Sequence, residues 1–199
     1  VRMRRIVREA RPLETPLAPG LHGARLLAST DVPGPVCFGV FAPVILLPEE
    51  LLEKGEPAHV RMVLHHELAH VQRRDVLANI LQRLVEAALF FHPLVWIASR
   101  LLTQERERVC DNWVLAQGAD ADRYAELLSR LAERHVNGAG LQGVALLEGG
   151  LLRRIRDLLD PRRARLTRLS RRAALACALA ALLALDRKST RLNSSHRMP

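Results

Sequence analysis

Up to Pro48 the apolar residues come in short runs broken by Pro and Gly, and after Pro57 they recur at three- and four-residue intervals. The first pattern predicts strands and the second predicts helices. From about Ala24 to Pro48, "ARLLASTDVPGPVCFGVFAPVILLP" reads as two or three short strands joined by turns. Residues 58 to 73 predict a first long helix. Residues 75 to 90 predict a second, with Val76, Leu77, Ile80, Leu81, Leu84, Val85 and Ala88 on one broad apolar face and Asp75 as its cap. Pro93 suits the first turn of a third helix, which runs to about Gln117 and stops at Gly118. A fourth covers about Asp120 to Arg134, and a fifth, Leu151 to Leu159, stops at Pro161. Between those two, "NGAGLQGVALLEGG" has five glycines and is expected to be mobile enough to enter a cleft as an extended chain. The fold class is therefore α+β, mainly helical, with a short N-terminal sheet.

One apolar run breaks this pattern. "AALACALAALLAL", residues 173 to 185, is thirteen uninterrupted apolar residues directly after Arg171 and Arg172. A membrane span needs roughly 20, so the run reads as a truncated transmembrane helix, with a buried Ala/Leu core helix as the alternative. Arginine on its near side would make that side cytoplasmic. The polar tail that follows, residues 186 to 199, resembles translated vector sequence and is set aside as non-native, and with it His196. The first residue is Val, so both ends are expected to be edges of a fragment.

Charge sharpens the division. The net charge is +9, yet residues 1 to 11, 153 to 172 and 186 to 199 carry +4, +7 and +3, which leaves −5 for the middle. Basic flanks around an acidic centre fit a membrane-side domain better than a nucleic-acid binder. A positive surface and stacking aromatics are both missing, with only seven aromatics in 199 residues. The expected organisation is a basic juxtamembrane segment at 1–23, a catalytic domain at 24–160, a second basic segment at 161–172, the partial span at 173–185 and the tail. Three cysteines, Cys37, Cys110 and Cys177, show neither pairing nor CxxC spacing. They indicate a reducing compartment and no cysteine metal site.

The candidate chemistry lies in "LHHELAHVQRRD", residues 64 to 75. His66 and His70, four apart on a helix, can direct both imidazoles at one metal ion, and Glu67 sits beside them as a base for a water molecule. This HExxH pattern is a metallohydrolase arrangement. His65 is one residue too early to share that face and reads as a polar position or as one supporting the ligands from behind. His59 and His135 read as surface groups, and His92, at a helix start beside aromatics, as either a capping or packing residue or a catalytic one. A catalytic zinc takes three protein ligands and leaves one position open, so a third must come from elsewhere. "QERERVCDNWV" offers Glu105, Glu107 and Asp111. Glu107 and Asp111 share a face, so that one could bind the metal and the other orient a ligand histidine. The alternative is an ordinary solvated charge run.

"HHELAHVQRRD", "FFHPLVW" and "ERERVCDNWVLA", preceded by "PVCFGVFAPVILLP", together resemble the membrane metallopeptidases of the BlaR/MecR type, the beta-lactam sensor-transducers and their relatives. The similarity covers about Thr30 to Leu159. It implies a glutamate-zincin-like zinc metallopeptidase domain facing the cytoplasm from the inner membrane. It further implies His66, His70 and Glu107 as zinc ligands, Glu67 as the catalytic glutamate, and Cys110 in a packing role. The expected substrate is a protein, a transcriptional repressor or the chain itself, with no direct nucleic-acid contact. His92 and Tyr124 are candidates for stabilising an oxyanion. A non-proteolytic signalling scaffold that retains its zinc is the rival reading. These 199 residues hold no upstream spans and no penicillin-binding domain, so antibiotic sensing is not implied.

Overall fold

The structure, a computed structural model, describes residues 2–13, 23–139 and 144–160. In chain order these form α1 (Arg2–Glu9), β1 (Arg11–Pro12), β2 (Arg25–Ser29), β3 (Val36–Phe38), β4 (Val44–Pro48), α2 (Glu49–Lys54), α3 (Pro57–Gln72), α4 (Asp75–Ala88), α5 (Pro93–Ala116), α6 (Ala121–Ala139) and α7 (Val144–Leu159). The mainly helical α+β architecture expected from the periodicity is present.

The strands pair in the order β1-β2-β4-β3, with β2 and β4 parallel and both outer pairings antiparallel. All five residues of β4 are buried because the sheet is covered on both sides. Alternate side chains serve different cores. Ile45 and Leu47 join Val63, Leu64, Leu68, Val114 and Tyr124 in the helical core, whereas Val44 and Leu46 meet Leu27, Val32 and Ile6 of α1 on the other side. Residues 2–12, read above as part of a basic segment ahead of the domain, thus contribute α1 and β1 to the sheet layer. Ile6 is the anchor, the one buried residue among those of α1 whose burial is described, and the arginines around it kept it from standing out in the sequence.

Two further expectations change. The glycine-rich link is shorter than its composition suggested, because α6 continues to Ala139 and α7 begins at Val144. Gly149 and Gly150 each cost roughly 1 kcal/mol relative to Ala but lie within α7, next to the good helix formers Ala145, Leu146, Leu147 and Glu148. Residues 144–150 would have to unwind before entering a cleft. The apolar face of α4 also exists but is not covered: Leu77, Ile80, Leu81, Leu84 and Val85 are all exposed. The run at 173–185 lies outside the described residues. Among those described, no helix is long and apolar enough to cross a membrane.

Candidate metal centre

α3 crosses beneath the sheet and against α5, so one face of α3 meets one face of α5 in the interior. His66 and Glu67 are buried and His70 half-buried on α3. Glu107 and Asp111 stand one turn apart on α5. Nε2 of His66 lies 3.3 Å from Nε2 of His70 and 3.4 Å from Oε2 of Glu107, and Nε2 of His70 lies 3.8 Å from Oε1 of Glu107. An ion bound tetrahedrally at zinc–nitrogen and zinc–oxygen distances separates its ligand atoms by about 3.3–3.4 Å. The three groups that the sequence singled out therefore converge with the spacing of a tetrahedral edge, and they could hold a metal ion together.

The other imidazole nitrogens are engaged from behind. Nδ1 of His66 faces the Tyr124 hydroxyl at 3.0 Å and Oδ1 of Asp111 at 3.3 Å, and Tyr124 donates to that same oxygen at 2.8 Å. Nδ1 of His70 bonds Oδ2 of Asp75 at 2.8 Å. A carboxylate on each Nδ1 turns each Nε2 into the free lone pair, the arrangement that fixes histidine ligands around metals. Asp111 is held in turn by Arg154 of α7, whose Nε and terminal nitrogen donate at 2.9 and 2.7 Å. Arg154 also lies 3.2 Å from Glu107.

These partners set the protonation pattern. Burial opposes charge on His66, but its side-chain hydrogen bonds with Asp111 and Glu107 outweigh it and push the imidazole up to about 9. Burial would raise Glu107, yet the His66 hydrogen bond and the His66 and Arg154 charges bring it down to about 2. Asp111 is likewise held below the usual carboxylate range, with Arg154 overcoming its burial. Glu67 moves the other way. Burial raises it, with Glu107 adding, and the two histidines offset only part. One carboxylate beside the cluster thus favours holding a proton while its neighbours favour ionisation.

Several single-residue readings change with this geometry. Asp75 is the first residue of α4 rather than its cap. Arg74 precedes it in the left-handed region at φ 55°, which costs a non-glycine residue roughly 1–2 kcal/mol. That sharp turn between α3 and α4 brings Asp75 back onto His70. Tyr124 is 1% exposed behind His66, so it cannot face a substrate. His92 precedes α5 at the far turn of the α4–α5 hairpin, and no contact among the described residues ties it to the cluster. His59 is buried rather than on the surface. His65 lines a separate pocket of about 410 Å³ with Arg61 and Arg123. Cys110 lies 3.4 Å from His70 Nδ1 and 3.8 Å from Asp75, and burial raises its thiol well above the usual range. Cys37 on β3 is pushed up to about 12 by burial and by the charges of Glu67 and Asp75. Both shifts disfavour the thiolate, the nucleophilic form. Glu105 points away from the cluster and pairs with Arg108. Arg154 had no local signal, since within "LLRRIRDLL" it reads as one more flanking base.

A sequence model of the BlaR1 peptidase M56 family matches residues 4–158. The chain is 28% identical over 119 residues to the methicillin resistance mecR1 proteins of Staphylococcus aureus and Staphylococcus epidermidis, an alignment covering 57% of this chain and 20% of theirs. It is 37% identical over 90 residues to the regulatory protein BlaR1 of Bacillus licheniformis, covering 45% of this chain and 15% of that protein. The chain thus spans about a fifth or less of the length of these curated relatives.

Proposed function

The chain belongs to the BlaR1 peptidase M56 family, and from that premise we propose that it is a zinc-dependent endopeptidase, anchored in the inner membrane with its catalytic domain in the cytoplasm. Membership carries a metallopeptidase fold. The observation that supports catalysis most directly is the convergence of His66 Nε2, His70 Nε2 and Glu107 within 3.3 to 3.8 Å, with Glu67 buried alongside.

His66, His70 and Glu107 would hold the ion, and when bound zinc would polarise both a water and the peptide carbonyl. Glu67, whose burial makes its carboxylate a stronger base than an exposed glutamate, would take the water's proton and then, as the protonated acid, pass it to the leaving amine. Asp111 and Asp75 hold the two imidazoles in the orientation that keeps each Nε2 free. β3 is the outer strand of the sheet and packs against α3, and the Cys37 thiol on it senses the Glu67 charge. Among the described residues no strand pairs with the far edge of β3, and such an edge near Glu67 suits an extended peptide, which could add to it by backbone hydrogen bonds. The membrane placement rests on the apolar run at 173–185 and the arginines before it. The family resemblance points to a repressor or the chain itself as substrate.

The test combines zinc content with cleavage of an unstructured protein substrate by the full chain. Glu67→Gln keeps the shape but cannot take a proton, so zinc is expected to stay while hydrolysis falls at least ~100-fold. His66→Ala is expected to lose most of the zinc. Bound zinc in the native chain with no cleavage of any partner would sink the peptidase reading and favour a signalling scaffold.

A further inference from the structure

The hairpin of α4 and α5 is built inside out. Its polar groups face inward: Glu86, with a side chain 6% exposed, accepts from Ser99, and Gln82 donates to the Ser99 hydroxyl and carbonyl and accepts from Arg106 at 2.7 Å. Its apolar groups face outward. Leu84, Phe90, Phe91 and Leu94 are 54 to 67% exposed around the tip, and Ile97 and Leu101 are each 53% exposed along α5. In water a helix pair buries the opposite set. Exposed apolar surface of this extent marks an interaction site.

We propose that this hairpin tip inserts into the cytoplasmic leaflet of an anionic lipid bilayer. Three observations favour lipid over a protein partner. First, both carboxylates between residues 75 and 103, Asp75 and Glu86, are buried, whereas Arg83, paired with Glu86 at 2.7 Å, and Arg100 are exposed, so the exposed charge nearest the apolar tip is positive. That sign complements acidic headgroups. Second, Trp96 is 46% exposed and, at about 100° per residue, lies roughly 100–160° round α5 from Ile97, Leu101 and Leu94, on a different face of the helix. A flat partner covers one side of a helix pair, and a fluid covers all of them. Third, α4 has 14 residues, a length of about 21 Å, which reaches one leaflet but cannot cross a core of about 30 Å. Trp96 adds an amphipathic ring whose Nε1 donates to the Phe90 carbonyl at 2.9 Å, as suits the interface.

The consequence is a fixed stand-off. Glu107 lies ten residues along α5 from Ile97, about 15 Å of helix, so the metal centre would work just above the headgroups. The inference shares the membrane side of the proposal above but does not depend on hydrolysis.

The test uses the full chain reconstituted in phosphatidylcholine and phosphatidylglycerol vesicles whose acyl chains carry bromine, a short-range quencher of tryptophan. The chain has two tryptophans. In Trp113→Phe, the remaining Trp96 emission is expected to fall severalfold against unbrominated vesicles. In Trp96→Phe, Trp113 sits about 25 Å further along α5 and is expected to keep its emission. Adding Leu84→Asp and Phe91→Asp to Trp113→Phe should restore Trp96 emission without changing zinc content or helicity. A chain that stays in the vesicles with Trp96 unquenched overturns the proposal, while leaving anchoring at 173–185 intact. Trp96 shielded in a cross-linked pair of chains without lipid would assign the face to a second copy and equally overturn it.

Discussion

Replacing Arg154 with methionine removes the cation that two carboxylates of the site, Asp111 and Glu107, depend on. Its guanidinium donates to both oxygens of Asp111 at 2.9 and 2.7 Å and lies 3.2 Å from Glu107. The Asp111 side chain is 3% exposed, so its charge cannot fall back on water. Methionine fills much of the volume, and the cost is therefore electrostatic. Stranding one charge of a buried pair costs about 3–5 kcal/mol, a large share of a domain stability of about 5–15 kcal/mol. The pH dependence separates this from simple loss of contacts. Asp111 has a depressed folded pKa, so it contributes stability above its unfolded value near ~3.9 and loses it as pH falls through the folded value. Without Arg154 the folded pKa moves up, so the deficit should be full at about pH 7 and shrink towards about pH 4. The assay is urea unfolding of the full chain in mild detergent with chelator, followed by Trp113 fluorescence at both pH values. Arg154→Met combined with Asp111→Asn, which also removes the stranded charge, should regain part of the loss. A deficit under about 1 kcal/mol, or one that does not change with pH, would refute the reasoning.

Glu107→Ala should lose most bound zinc by removing one of three protein ligands, whereas the exposed Glu105→Ala should change neither zinc content nor rate. The reverse pattern on metal analysis would overturn the choice of third ligand. Asp75→Asn keeps the shape behind His70 but weakens its hold on the Nδ1 proton, and should cost roughly 10- to 100-fold in zinc affinity by competition titration. An unchanged affinity would reduce Asp75 to a structural residue. His66 is pushed up to about 9 without metal, so below that pH zinc must displace a proton and its affinity should fall about tenfold per pH unit. In the metal-free protein the same raised pKa stabilises the fold fully below about 6.5, and that contribution is lost as pH rises through about 9. Calorimetry in buffers of different ionisation enthalpy would detect the released proton, and zinc binding without proton release would contradict this account.

The sequence alone determined what repeats locally. Helical spacing placed His66, Glu67 and His70 on one helix and Glu107 and Asp111 on another, because residues four apart share a face whatever the helix packs against. The break at Pro48 and the stop at Gly118 were legible for a similar reason, since the proline ring and a positive φ constrain the chain at one residue. Only tertiary structure decided the long-range partners. Asp75 carried a capping signal, and the left-handed turn at Arg74 redirected it to His70. Arg154 reaches Asp111 across 43 residues, and Tyr124 reaches His66 across 58. No periodicity records such pairings, because they depend on how α5, α6 and α7 pack round α3. The α4 face shows the same limit in reverse: spacing made it apolar, but whether protein, water or lipid covers it is decided by what stands opposite, and the sequence of α4 holds no such information.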